Sequence, residues 1–233
     1  MIKAVFFDWF NTVAHYDPPR EEIHGQACRE CNIEVSPDAL IHGLLAADKF
    51  FFEENSNSQI GKRSPEEQAE IYYRYQVILF TEAGVKANKE LVWKIMDRAH
   101  QLFKGVRFAL FDDVVPTMKT LKERNLILGL LTNATKDMIS VYRELGLEPY
   151  IDIVVTSEEV GNDKPRPPIF LEALERAGVN ASEAIHVGDQ YQVDIVGARG
   201  VGISPILLDR YDFFPEVTNC PRIRTLPEVV EHL

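Results

Sequence analysis

Leu126-Ile127-Leu128-Gly129-Leu130-Leu131-Thr132 is an almost unbroken apolar run that ends on a hydroxyl. A strand wetted on one face alternates apolar with polar residues, whereas a run that is apolar throughout is buried on both faces, as in a parallel sheet covered by helices. Four other runs share this character, at Lys3–Asp8, Ile151–Thr156, Ala184–Asp189 and Ser204–Leu208. Helix-period segments separate them, at Val114–Arg124 before the quoted run, then at Asp137–Leu145, Pro168–Ala177 and Val193–Arg199. Strand and helix in strict alternation predict the α/β class, with a doubly wound, Rossmann-like parallel sheet.

One long stretch breaks the alternation. From residue 15 to 103 the apolar spacing is helical throughout, with Leu40/Leu44, Ile71/Tyr75/Ile78 and Leu91/Ile95/Met96 each on one helical face. Ser64-Pro65-Glu66-Glu67 combines a capping-box Ser and Glu with Pro at the first helical position, which predicts a helix start after the polar loop Glu53–Arg63. Ser36-Pro37 predicts another. The expected organisation is therefore a core formed by residues 1–14 and 104–233, with residues 15–103 inserted as a helical domain.

Composition narrows the function. The chain has 233 residues, 45% hydrophobic and 26% charged, and a formal net charge of -11. That charge disfavours nucleic-acid backbones and anionic lipids as partners, although a local cation and one lysine can still draw in an anion. No apolar run approaches the roughly 20 residues that span a bilayer, and the apolar start Ala4–Phe7 is interrupted by Asp8 without a small-residue cleavage site. These features suggest a soluble, cytoplasmic monomer or homodimer acting on a small molecule, with neither nucleic acid nor membrane as partner. Three cysteines, Cys28, Cys31 and Cys220, fit a reducing compartment better than a disulfide framework. His24, Cys28 and Cys31 have ligand-like helical spacing, but no second pair completes a tetrahedral site.

In an open α/β sheet, ligands bind at the carboxyl ends of the strands, where helix N-termini face them. Three runs end in polar residues there: Phe6-Phe7-Asp8, Leu131-Thr132-Asn133 and Val187-Gly188-Asp189. A Lys164-Pro165 loop follows the Ile151–Thr156 run. Carboxylates gathered at one sheet edge repel each other, and a hard divalent cation bound by oxygens resolves the repulsion.

These four segments, in this order, resemble the motifs of the haloacid dehalogenase superfamily. They read Phe7-Asp8-Trp9-Phe10-Asn11-Thr12-Val13, then Leu131-Thr132-Asn133, then Lys164-Pro165-Arg166-Pro167-Pro168-Ile169-Phe170, and finally Val187-Gly188-Asp189 with Asp194 and Gly197-Ala198-Arg199 beyond it. The helical insertion after the first motif looks like that family's cap. The resemblance implies a hydrolase in which Asp8 is the nucleophile, forming a covalent aspartyl intermediate. It makes Thr132 and nearby backbone N–H groups the phosphate cradle, with Asn133 beside them, and Lys164 the balancing cation. Asp8, Asp189 and the carbonyl of Phe10 become magnesium ligands, with Asp194 orienting ligands or bound water. Lys62 and Arg63, between the second and third cap helices, are substrate-recognition candidates, and read equally as a solvated charge pair.

One position departs from the family's phosphatases. They carry a second Asp two residues after the nucleophile, to protonate the leaving alcohol, and here that position is Phe10. Family members that hydrolyse 2-haloacids also lack this Asp, since halide leaves without a proton. Those enzymes, however, work without metal, lack the first acidic residue of the fourth motif and bind halide with an arginine early in the cap, for which Arg20 and Arg29 are the candidates. The leading expectation is a magnesium-dependent phosphatase on a small phosphorylated metabolite. A haloacid dehalogenase and a ligand-binding pseudoenzyme are the alternatives.

Overall fold

The computed structural model describes residues 1–86 and 88–233 and divides into two compact units, Met1–His15 with Phe108–Leu233, and Tyr16–Arg107. In chain order the elements are β1 (Ala4–Phe7), β2 (Ala14–Asp17), α1 (Arg20–Glu30), α2 (Pro37–Asn57), α3 (Pro65–Glu82), α4 (Lys89–Leu102) and β3 (Arg107–Leu110). There follow α5 (Val114–Glu123), β4 (Ile127–Thr132), α6 (Met138–Glu144), β5 (Ile153–Thr156), α7 (Ser157–Val160), α8 (Pro167–Ala177) and β6 (Ala184–Gly188). A π-helical turn at Tyr191–Ile195 leads into α9 (Val196–Gly200), and β7 (Ser204–Leu208), β8 (Arg222–Ile223) and a 3-10 segment at Leu226–His232 close the chain.

The first unit is built on a six-stranded sheet in the order β5-β4-β1-β6-β7-β8, with every neighbouring pair parallel. The expected strands are all present, and β8, too short to show in the apolar pattern, extends the sheet by one. Residues along β1 alternate between two cores. Val5 and Phe7 join Met118 and Leu121 of α5, whereas Ala4 and Phe6 join Ile169, Phe170 and Ala173 of α8. Such double burial explains why β1 is apolar at every position, and each large side chain so buried contributes roughly 1.5–3 kcal/mol.

β1 is the switch point of this topology. The chain leaves it to build β4 and β5 on one side, then returns to build β6, β7 and β8 on the other. The register pairs Phe7 with Leu130 of β4 and with Val187 of β6, so the segments after β1, β4 and β6 emerge side by side at one edge.

The second unit consists of α1 to α4 around a core that includes Ala27, Leu40, Leu44, Leu79, Phe80 and Ile95. The anticipated helix starts form as read. Ser64 Oγ accepts from Glu67 N while Ser64 N donates to Glu67 Oε2, and Ser36 Oγ accepts from Ala39 N. Gly43 lets α2 and α3 approach closely, because a Cβ there would lie 2.3 Å from the Leu79 carbonyl oxygen. Inside this unit Arg20 makes a bidentate pair with the buried Asp48, at 2.6 and 2.9 Å, and Tyr75 donates to the same carboxylate at 2.8 Å. No helix among the described residues is long and apolar enough to cross a membrane.

Candidate active site

Asp8 is the first residue beyond β1, and its backbone N–H donates to the Val187 carbonyl, which keeps it on the sheet edge. Lys164 Nζ donates to Asp8 Oδ1 at 2.5 Å and to Asp194 Oδ1 at 2.7 Å. The lysine side chain is only 1% exposed, so it can stay charged only because two carboxylates face it. Burial would lower its pKa, but Asp194 and Asp8 outweigh that effect and raise it. Burial pushes Asp8 up to about 6, against the opposing pull of Lys164 and with the charge of Asp194 adding to the rise. Asp194 moves the other way. Burial works against its ionisation, yet Lys164 and the hydrogen bond from His186 hold it below the usual carboxylate range.

The turn after β6 shapes the rest of the edge. Gly188 must lack a side chain, since a Cβ would lie 2.2 Å from Asp194 Cγ. The wide turn of the π-helix folds Asp194 back beneath this glycine, where Oδ2 accepts from Gln190 N at 3.1 Å. Gln190 Nε2 donates to Asp189 Oδ2 at 2.8 Å. Carboxylate oxygens of Asp8, Asp189 and Asp194 lie within 4.8 Å of one another. Three oxygen-only carboxylates in that space suit a small hard cation, so the donor chemistry fits magnesium. Among the described residues no other group of three His, Cys, Asp or Glu side chains comes so close, and His24, Cys28 and Cys31 do not assemble into one.

The loop beyond Asp8 is locally specified. Asn11 takes a left-handed backbone with φ 61°, which Asn tolerates better than most side chains, and its N–H donates to the Ala14 carbonyl. Arg210 holds the loop from the opposite side by donating to the Thr12 carbonyl at 2.9 Å while paired with Asp113 and stacked 4.0 Å from the Phe111 ring centre. Trp9 is buried against Phe108, and Phe10, half-buried, meets the same ring edge-on at a centroid distance of 6.4 Å.

Of the residues singled out in the sequence, Asp8, Lys164, Asp189 and Asp194 come together here. Thr132 is buried at the end of β4, beside them in the register. Asn133 engages the Lys164 backbone: its Oδ1 accepts from Lys164 N at 2.6 Å and its Nδ2 donates to Lys164 O at 3.1 Å. Lys62 and Arg63 belong to the second unit, where Arg63 binds Glu54 and the Ser58 carbonyl and Lys62 is exposed. His186, Gln190 and Arg210 escaped the sequence reading. For His186 a signal existed, because a histidine inside an otherwise apolar buried strand needs a polar partner.

A family model described as a hydrolase, haloacid dehalogenase-like hydrolase, matches residues 2–202. The chain is similar to a glyceraldehyde 3-phosphate phosphatase of Methanopyrus kandleri, 32% identical over 212 residues that take in 90% of this chain and 85% of that one. Among solved structures it is similar to a HAD phosphatase from Thermococcus onnurineus at 25% identity, and to a 2-haloacid dehalogenase from Pseudomonas syringae pv. Tomato at 27%. Both likenesses have a TM-score of 0.57 and cover 99% of this chain and 97% of the other. Because the family match runs from β1 through the helical insertion to the end of the fourth motif, the chain belongs to the haloacid dehalogenase-like hydrolases.

Proposed function

We propose that the protein is a magnesium-dependent phosphatase of small phosphate monoesters, with Asp8 as nucleophile. The carrying observation is the charge at the sheet edge. Asp8, Asp189 and Asp194 cluster with one buried lysine, which pairs with Asp8 and Asp194, an acid excess that would repel a dianionic phosphate unless a divalent cation joined them. Asp8, Asp189 and the Phe10 carbonyl would hold that ion, with Asp194 behind them. When bound, it neutralises charge where carboxylate and phosphate meet.

In this reading one Asp8 carboxylate oxygen attacks phosphorus, the bond to the ester oxygen breaks, and the leaving group departs with the electron pair. Water then attacks phosphorus, the bond to Asp8 breaks and inorganic phosphate is released. Lys164 keeps Asp8 oriented throughout, and Thr132 with the N–H groups at the end of β4 cradles the phosphate oxygens. Phe10 offers no proton to the leaving oxygen. The helical unit Tyr16–Arg107 serves as the cap, and Lys62 and Arg63 remain candidates for substrate contact. The similar phosphatase of Methanopyrus kandleri supports a small phosphorylated substrate. Three free thiols support a cytoplasmic setting.

Phe10 and the likeness to a haloacid dehalogenase favour the second reading, dehalogenation. Against it stand Asp189, which joins Asp8 and Asp194 in an acidic cluster suited to a cation, and Arg20, a candidate halide ligand whose guanidinium is engaged by Asp48. The deciding experiment is a panel of phosphate esters and 2-haloacids assayed with Mg²⁺ and with EDTA. Ester hydrolysis lost in EDTA is expected; haloacid turnover that survives EDTA would overturn the reading.

A further inference from the structure

His186 is fully buried in the middle of β6. Its Nε2 lies 3.1 Å from Asp194 Oδ1, and its Nδ1 has no hydrogen-bond partner among the described residues. Phe170 packs edge-on against the ring at a centroid distance of 5.3 Å and fixes its plane. A neutral imidazole carries one N–H. With the proton on Nδ1, a buried donor would be unmet and a lone pair would face the carboxylate; with the proton on Nε2, the donor is satisfied and only an acceptor is unmet.

We propose that His186 is a positioning residue, the Nε2–H tautomer that locks Asp194 from inside the sheet and through it the placement of Lys164 and the acidic cluster. Asp194 has three protein donors, Lys164 and His186 on Oδ1 and the Gln190 N–H on Oδ2, and together they leave its carboxylate a single orientation. Without His186 the carboxylate could turn about Cβ–Cγ, and both Lys164 and the acidic cluster would lose their fixed reference. The consequence for metal binding rests on the phosphatase reading above; the tautomer does not.

The test uses the full chain in three measurements. Nitrogen-15 NMR of the metal-free protein, with His186 assigned by its absence in His186→Gln, should show the Nε2–H tautomer; an Nδ1–H tautomer would overturn the proposal. Calorimetric Mg²⁺ titration should show affinity about tenfold or more weaker in His186→Leu and within about threefold of wild type in His186→Gln, whose amide reaches a similar point. Thermal melting checks that both variants fold, with His186→Leu the less stable because the buried Asp194 Oδ1 loses a donor that the Gln amide can replace. Wild-type affinity in a folded His186→Leu, or an equal loss in both variants, would refute positioning. If His186→Leu fails to fold, the tautomer and the Gln variant decide. If the wild type binds no Mg²⁺, the metal reading fails and the tautomer alone judges His186.

Discussion

Asn133 holds Lys164 by both ends of its backbone, accepting from its N–H at 2.6 Å and donating to its carbonyl at 3.1 Å. The residue after β4 thus sets the position of a lysine 31 positions later whose ammonium group lies between Asp8 and Asp194. Removing the amide leaves two backbone groups unmet, at about 1–3 kcal/mol each if no water replaces it. Asn133→Ala should lower kcat by about two orders of magnitude with a smaller change in KM, since a misplacement of about 1 Å can cost that much. Steady-state kinetics checks this. A large rise in KM with kcat intact would instead make Asn133 a substrate contact.

Asp8 should hold back the stability of the metal-free protein. Its folded pKa of about 6 lies above the ordinary 3.8 because burial favours the neutral acid. The folded state therefore binds the proton more tightly than the unfolded chain, so this group's cost is full above pH 6 and disappears as pH falls towards 3.8. Asp8→Asn should abolish hydrolysis and stabilise the metal-free protein by about 1–3 kcal/mol at pH 8, and by less at pH 5. Urea denaturation at the two pH values gives the comparison. A gain that does not shrink at pH 5 would contradict it.

His24 predicts the opposite slope. It is buried in α1, with Nδ1 2.8 Å from the Arg20 carbonyl, and burial lowers its pKa from 6.5 to about 4. Between those values the unfolded chain takes up a proton that the folded protein refuses, so stability falls as pH drops from 6.5 towards 4, by at most about 3 kcal/mol. His24→Leu should flatten the profile. Unfolding curves of wild type and variant between pH 7.5 and 4.5 should show the variant gaining on the wild type as pH falls, by up to about 3 kcal/mol; a difference that does not change with pH would contradict this.

Phe10 stands where a proton donor would serve a poor leaving group. Wild type should hydrolyse p-nitrophenyl phosphate much faster than a sugar phosphate. Phe10→Asp should raise the sugar phosphate rate by up to about 10²-fold if the new carboxylate reaches the leaving oxygen. It also removes a ring that meets Phe108, so a loss of about 1–2 kcal/mol in stability should accompany the gain. Equal wild-type rates on both esters, unmoved by the substitution, would mean that another group supplies the proton.

The sheet was legible because its strands are buried on both faces: β1, β4 and β6 are apolar at nearly every position, β4 ends on Thr132, and Asp8 and Asp189 directly follow β1 and β6. The cluster of Asp8, Lys164, Asp189 and Asp194 followed from strand ends and motif order. What stayed hidden were partners set by tertiary approach. Nothing in the spacing of Asn133 and Lys164 says that one grips the other's backbone, and Arg210 meets the Thr12 carbonyl across 198 residues of chain. The sequence pattern gives an ordinary helix over Val193–Arg199, whereas its first turn belongs to a π-turn at Tyr191–Ile195, since one extra residue in a turn leaves the apolar pattern almost unchanged.

The central place of β1 also orders events during synthesis. Asp8 leaves the ribosome 156 residues before Lys164, and one edge of β1 has no partner until β6 arrives. Until then the nascent chain carries an apolar strand with a free row of N–H and C=O groups, the kind of edge that pairs with other chains. A chain ended before Ala184 should therefore aggregate rather than form a smaller enzyme, and the long wait makes this stage of folding the one at which a chaperone has most to shield.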